Sequence, residues 1–242
     1  HFYFICIAWL TATLYFFATP SLLDRCSVLL LYLQVFRRLY ECYFVHNWSP
    51  TSRMHFAGYL VGVTHYILLS AVFLPTPPEC ERCMRDSFGN LVPEFVYRLY
   101  YNQGPSSTIP WVEAPLHIVL LRVTAIALCL FGQYQQYRHH VLLADLRKPD
   151  YSSNNNKAQY GLPEAAWFQY ITCPHYLAEI ILYFAFALLL HFEQIPGHRH
   201  WTLVPWVASN LTLSASINHQ WYKENFPAET MQGRRAIFPF VF

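Results

Sequence analysis

From Phe2 to Leu23 the chain runs without a single Asp, Glu, Lys or Arg, and such a run cannot be left in water as a helix or a strand. A helix rises 1.5 Å per residue, so about 20 mainly apolar residues match the ~30 Å hydrocarbon core of a bilayer. Five further stretches have the same character. Phe56 to Leu74 is the clearest, Trp111 to Gly132 is interrupted by Arg122, and Tyr176 to Phe192 contains Glu179. Trp201 to Ile217 is the least apolar, with Ser209, Asn210, Ser214 and Ser216. Ser27 to Phe36 runs into Arg37, Arg38 and Glu41, which predicts a span whose cytoplasmic end is polar and faces protein. The spans are therefore expected at about 2–19, 26–46, 56–74, 111–132, 176–192 and 201–217.

Composition points the same way. Charged residues make up 12% of the 242 residues, about half the ~25% of soluble domains, and AVILMFWYC make up 55%. That excludes a disordered chain, a coiled coil and an ordinary cytosolic globule. A net charge of +2 gives no reason to expect nucleic acid as a partner. The expected fold class is an all-α integral membrane protein, a single domain over 1–242 with six visible transmembrane helices. The chain opens at His1 inside an apolar run, so an N-terminal truncation is expected, with a seventh helix in the full-length chain.

Basic residues accumulate on the cytoplasmic side of membrane proteins. With these spans one side holds Arg37, Arg38, Arg53, Arg138, Arg147, Lys148, Lys157, Lys223, Arg234 and Arg235, and the other holds Arg25, Arg82, Arg85, Arg98 and Arg199. The connections after the second and fourth spans and the C-terminal tail are thus expected in the cytoplasm. The sequons at Asn47 and Asn210 then fall in the cytoplasm and within a span, where neither is used. Cys80 and Cys83 form a lone CxxC, too few ligands for a zinc site that needs about four. His139-His140 and His198-x-His200 lack the spacing that puts two ligands on one helix face, so no metal is expected.

Ionisable groups within spans are costly and are functional candidates by default. Arg122 reads either as such a candidate or as the structural partner of a carboxylate. Glu179 reads either as a site residue or as a helix-start carboxylate placed against the helix dipole. Asn218, His219, Tyr222 and Lys223 gather amide, imidazole, phenol and ammonium in little more than a turn, and the connection after the fourth span adds Gln136, His140, Arg147, Lys148 and Tyr160. Both groups face the cytoplasm. Such a cluster at the mouth of an apolar bundle suits a charged, water-soluble cofactor, with a lipid substrate held inside. Neither G-x-G-x-x-G, the P-loop nor G-x-S-x-G is present. Composition and spacing alone lead to a membrane enzyme with an anionic cytoplasmic cofactor.

Pro174-His175-Tyr176-Leu177-Ala178-Glu179-Ile180, His219-Gln220-Trp221-Tyr222 and the closing Arg234 to Phe242 resemble the steroid 5-alpha-reductase family. Leu146-Arg147-Lys148-Pro149 resembles its LRKP element, and RRLYECYFVH over Arg37 to His46 resembles its polyprenol and enoyl-CoA reductase branches. The opening HFYF and the arrangement Gln133 to Lys148 look most like the polyprenol (polyprenal) reductase branch. The resemblance implies a seven-helix endoplasmic-reticulum enzyme that uses NADPH and delivers hydride to an activated carbon–carbon double bond. Its cofactor-binding places fall on Gln136, His140, Arg147, Tyr160, His175, Glu179, His219 and Tyr222, with Arg147 facing a phosphate and Glu179 linked to His219.

The resemblance also implies a departure. Steroid-reducing members polarise the ketone with a Tyr and a Glu; Val35 stands at the Tyr place and the first span has no carboxylate. Reduction of the alpha-isoprene double bond of polyprenol or polyprenal, on the way to dolichol for protein N-glycosylation, is the implied function. Conjugation demands the aldehyde as the species reduced, because an isolated alkene has nowhere to put the charge. Tyr40, Glu41 and Tyr43 are candidate catalytic acids by location, with interfacial anchoring as the alternative for the two tyrosines. The alternatives are a very-long-chain enoyl-CoA or 3-oxo-steroid reductase of the same family, a distantly related methyltransferase, and a non-catalytic lipid-binding protein.

Overall fold

Glycine and proline decide where the helices begin and how closely they approach. The structure, a computed structural model, describes residues 7–8, 11, 26–47, 56–73, 113–146, 161–192 and 199–239. Among these residues the fold is helical and contains no strand. Helix α1 spans Cys26–Tyr40 and passes into a π-helical turn at Glu41–Val45. Helix α2 spans Phe56–Phe73, α3 Leu116–Asp145, α4 Pro174–Phe192, α5 Leu203–Asn225 and the short α6 Ala228–Met231. Single 3-10 turns occupy Ala166–Gln169 and Arg199–Thr202.

Five of the six expected spans are thus seen as helices, while the first lies outside the described residues except for 7, 8 and 11. Two boundaries differ from expectation. The fourth span was expected to stop at Gly132, with Gln136 and His140 in a connection; instead α3 runs on to Asp145. The segment Gln133 to Asp145 holds no Gly or Pro and is rich in good helix formers, so nothing ends the helix there. The sixth span likewise continues past Ile217, which puts His219 and Tyr222 on α5 until Pro227 follows its end.

Gly132 has a packing role rather than a terminating one. A Cβ built on it would lie 3.0 Å from the Ala178 carbonyl oxygen and 3.1 Å from Leu182 Cβ. The bare backbone lets α3 lie flat on α4, the most extensive helix contact among the described residues. Pro174, with no N–H to donate, opens α4 at the position that needs none. We expect Gly132→Val to separate the two helices at a cost of about 1–3 kcal/mol. Thermal unfolding in detergent should show the loss.

One core is assembled from Val28, Leu31 and Val35 of α1, Ala125 and Cys129 of α3, Leu182, Phe186 and Leu190 of α4, and Val207 of α5. The outward faces are apolar too: Leu29, Leu33, Phe36, Leu116, Leu120, Leu213 and Ile217 are exposed. Helices α3 and α4 are long and apolar enough to cross a membrane. Arg122 sits within α3 and is buried; its Nε and Nη2 donate to the Phe192 carbonyl at 3.1 and 2.7 Å. This contact fits the structural reading of Arg122: the guanidinium meets a carbonyl at the end of α4, where intrahelical donors run out.

The C-terminal segment docks on the approach to α4. Arg235 N–H donates to Tyr170 O at 2.9 Å, Thr172 N–H to Arg235 O at 2.8 Å, and Cys173 N–H to Ala236 O at 3.1 Å. Ile237 is fully buried beside Ala215 and Cys173. Arg234 donates to the Pro163 carbonyl at 2.8 Å.

Candidate functional site

Residues three and four apart share a helix face, and the end of α1 uses this spacing for Gln34, Arg37, Arg38 and Glu41. The π-turn, closed by His46 N–H donating to Glu41 O at 2.8 Å, carries Glu41 fully into the interior. Its carboxylate bonds to both guanidiniums, Arg37 and Arg38. His140 Nδ1 of α3 lies 2.7 Å from Glu41 Oε2 and 2.7 Å from Arg38 Nη1. A guanidinium only donates and a carboxylate only accepts, so this ring nitrogen bonds one of them at a time.

The polar chain then passes deeper. Arg37 donates to the side-chain oxygens of Gln34 and Gln136. Gln34 Nε2 donates to the same Gln136 oxygen at 3.2 Å. Gln136 Nε2 in turn donates to Glu179 Oε2 at 2.8 Å. Two guanidiniums and two carboxylates are thereby joined across α1, α3 and α4, which is the pairing buried charges require.

On α4 the residues His175, Glu179 and Tyr183 follow at four-residue spacing, and each meets a polar neighbour. His175 lies 5.4 Å from the His140 ring, with its Nδ1 buried and without a hydrogen-bond partner among the described residues. Glu179 takes Gln136. Tyr183 hydroxyl lies 2.8 Å from His65 Nε2 of α2. Arg38, His46, Asn47, His140, His175 and Tyr176 border a cavity of about 220 Å³ at the polar end of the bundle. A basic cavity with an unpaired buried nitrogen is chemically suited to an anionic, hydrogen-bonding ligand.

The expected site residues divide as follows. Gln136, His140, His175 and Glu179 come together, and Glu41 joins them. Tyr40 and Tyr43 do not: they are 51% and 57% exposed and stack towards Phe44, as an interfacial anchor would. Arg147 and Tyr160 lie outside the described residues. Glu179 and His219 take different partners, Gln136 and Thr172; His219 Nδ1 lies 3.1 Å from Thr172 Oγ1. His219 lies on α5, beyond the expected end of its span. Tyr222 packs on Phe226, with ring centroids 5.7 Å apart. Burial pushes the nearby Cys173 thiol up to about 11, so it stays protonated.

Ligand atoms of Glu41, His46 and His140 lie within 4.8 Å of one another, close enough for a metal ion. Arg38 is already bonded to Glu41 and in contact with His140, so a divalent cation there would compete with a guanidinium. The sequence reading used Arg37 and Arg38 only as markers of the cytoplasmic side and missed them as site residues. Their spacing to Glu41, four and three residues, was the signal available. Gln34 carries the same signal through Arg37, three residues on, whereas its Gln136 partner and those of His65 are far away in the chain.

Residues 94–242 match the family model described as 3-oxo-5-alpha-steroid 4-dehydrogenase. The chain is similar to polyprenal reductase 2 of Arabidopsis thaliana, 33% identical over 221 residues, 89% of this chain and 60% of that protein. Polyprenal reductase 1 of Oryza sativa subsp. indica is 30% identical over 215 residues, 88% of this chain and 58% of that protein. Polyprenal reductase of Xenopus tropicalis is 30% identical over 242 residues, 97% of this chain and 68% of that protein. The chain thus spans about six-tenths of the length of the plant relatives.

Proposed function

Because the chain belongs to the 3-oxo-5-alpha-steroid 4-dehydrogenase family, we propose that it is a membrane-embedded reductase acting on the alpha-isoprene double bond of polyprenal with NADPH, on the way to dolichol for protein N-glycosylation. The carrying observation is the continuous buried chain from Arg38 and Glu41 through Arg37 and Gln136 to Glu179. It joins a basic cavity at one end of the bundle to the apolar interior. A non-catalytic lipid binder has no use for a desolvated ion network of this kind, which is costly to build. Apolar residues on both inward and outward faces support membrane embedding. We place the protein in the endoplasmic reticulum with its C-terminus in the cytoplasm.

NADPH, when bound, supplies the hydride. Arg38, His140 and His175 fit its anionic and polar parts from the basic cavity, and Gln136 and Glu179 fit the inner part. Arg147, Tyr160, His219 and Tyr222 are proposed to complete the binding surface. Glu41, desolvated and held by three partners, serves to position Arg37 and Arg38; Tyr40 and Tyr43 anchor the helix end at the interface. Val35, 1% exposed and packed in the core, leaves no donor for a steroid ketone at that place.

The test offers detergent-purified full-length protein polyprenal, polyprenol, a 3-keto steroid and a 2-enoyl-CoA in parallel, and follows NADPH oxidation. Consumption with polyprenal alone is expected. Turnover of the steroid or the CoA ester in its place would overturn the substrate assignment, and no NADPH binding at all would overturn the reductase.

A further inference from the structure

A second, smaller cavity of about 110 Å³ lies on the far side of Glu179 from the basic one, between α2, α4 and α5. Its walls include Gly62 and His65 of α2, Glu179 of α4, and Trp206 and Asn210 of α5. A cavity of this size has room for a small polar head group.

The polar atoms of the walls are nearly all spoken for. An indole N–H only donates, so Trp206 Nε1, 3.2 Å from His65 Nδ1, makes that ring nitrogen an acceptor. Nε2 then carries the proton and donates to the Tyr183 hydroxyl at 2.8 Å. His65 is thus held as a fixed neutral tautomer that ties α2 to α4 and α5. On α5 the hydroxyls of Ser209, Ser214 and Ser216 bond back to carbonyls of their own helix. Asn210 differs: its side-chain amide has no hydrogen-bond partner among the described residues, and it borders the cavity at its mouth, on an exposed position of α5. An unpaired amide within a span is expensive unless something polar arrives there.

We propose that this cavity seats the aldehyde end of the polyprenyl substrate, with the Asn210 amide N–H donating to the carbonyl oxygen. The inference rests on the reductase reading above and adds where the head group sits and what grips it. Val61 and Trp206 at the rim are 42% and 47% exposed, whereas Val207 within is 5% exposed. The opening is therefore on the flank of the bundle, where a lipid too long for the cavity leaves its tail outside. Glu179 is shared by this cavity and the polar chain, so the conjugated double bond lies next to the proposed cofactor site. NADPH, when bound, would supply hydride to C3 as the C2–C3 π bond breaks, and the electron pair would move to the oxygen held by Asn210. A proton from water would then add to C2 as the carbonyl reforms, giving the saturated aldehyde.

The test uses the full-length protein in detergent and two readouts. In the first, N-ethylmaleimide labelling of a Gly62→Cys variant is followed with and without excess polyprenal, with the outward-facing Leu213→Cys as control. We expect polyprenal to slow labelling at position 62 at least fivefold and to leave position 213 unchanged. In the second, Asn210→Leu is expected to lower kcat for polyprenal by about ten- to a hundredfold, as removing a hydrogen bond to a charged oxygen does, while NADPH still binds. Gly62→Leu, which fills the cavity, should abolish turnover and also keep NADPH binding. Turnover in the parent protein with no protection at position 62 and full rates in both variants would overturn the cavity assignment while leaving the reductase reading intact. Protection without any turnover in the parent protein would support the seat and overturn the reductase. Neither protection nor turnover would overturn both.

Discussion

A Glu41→Leu variant is expected to lose about 3–5 kcal/mol of stability and to melt well below the parent protein in detergent. The carboxylate is fully buried and is the shared counterion of Arg37 and Arg38, whose side chains are only 13% and 17% exposed. Removing it leaves two cations next to each other in a low-dielectric interior. The leucine contributes apolar packing in return, but packing does not solvate a guanidinium. Converting Arg37 and Arg38 to Met in the same chain should restore much of the melting temperature, because a whole ion cluster exchanged for apolar side chains is often neutral or stabilising. That triple variant should still fail to bind NADPH, which separates the structural role of the cluster from its role at the cavity. A Glu41→Leu protein that melts like the parent would show that the two guanidiniums are balanced elsewhere.

Glu179→Leu is expected to lower kcat/KM for polyprenal about a hundredfold, the scale on which loss of one positioned polar group acts at a reacting centre. Two effects combine. The Gln136 amide loses its acceptor, which costs a buried donor about 1–3 kcal/mol. The carboxylate that the polar chain and the small cavity share also disappears. Glu179→Gln keeps an oxygen that can accept from Gln136, so it should recover cofactor affinity ahead of turnover. Titrating NADPH binding and rate side by side in the two variants checks this. A lipid carrier would keep its binding in both, so unchanged lipid uptake together with absent turnover in the parent protein would favour the carrier.

The helix positions were legible because the bilayer-length pattern is strong and local. Predicted spans at 26–46, 56–74 and 176–192 match α1 with its π-turn, α2 and α4 to within two residues. Gly132 misled because a glycine in a sequence can mean an end or a close approach, and only the distance to Ala178 decides between them. Polar residues at one end of the bundle were readable as a group. The hydrogen bonds that join its helices were not, because these link residues about 40 to more than 100 positions apart: Gln136 to Glu179, Gln34 to Gln136, Glu41 to His140.

The sequence by itself determined that this chain is a bundle of helices with one polar end, since a run of apolar residues has few ways to satisfy its backbone away from water. It also determined the family, through motifs carried in contiguous residues. Tertiary structure decided which polar residues from different helices come together. It brought His140 and Gln136 of α3 and Glu179 of α4 to the Arg37, Arg38 and Glu41 cluster, and left Tyr40 and Tyr43 on the surface. It set Asn210 and His65 around a cavity that no spacing in the chain announces. The physical reason is that a buried charge or amide is tolerable only beside its partner, and partners on different helices meet only once the helices have packed.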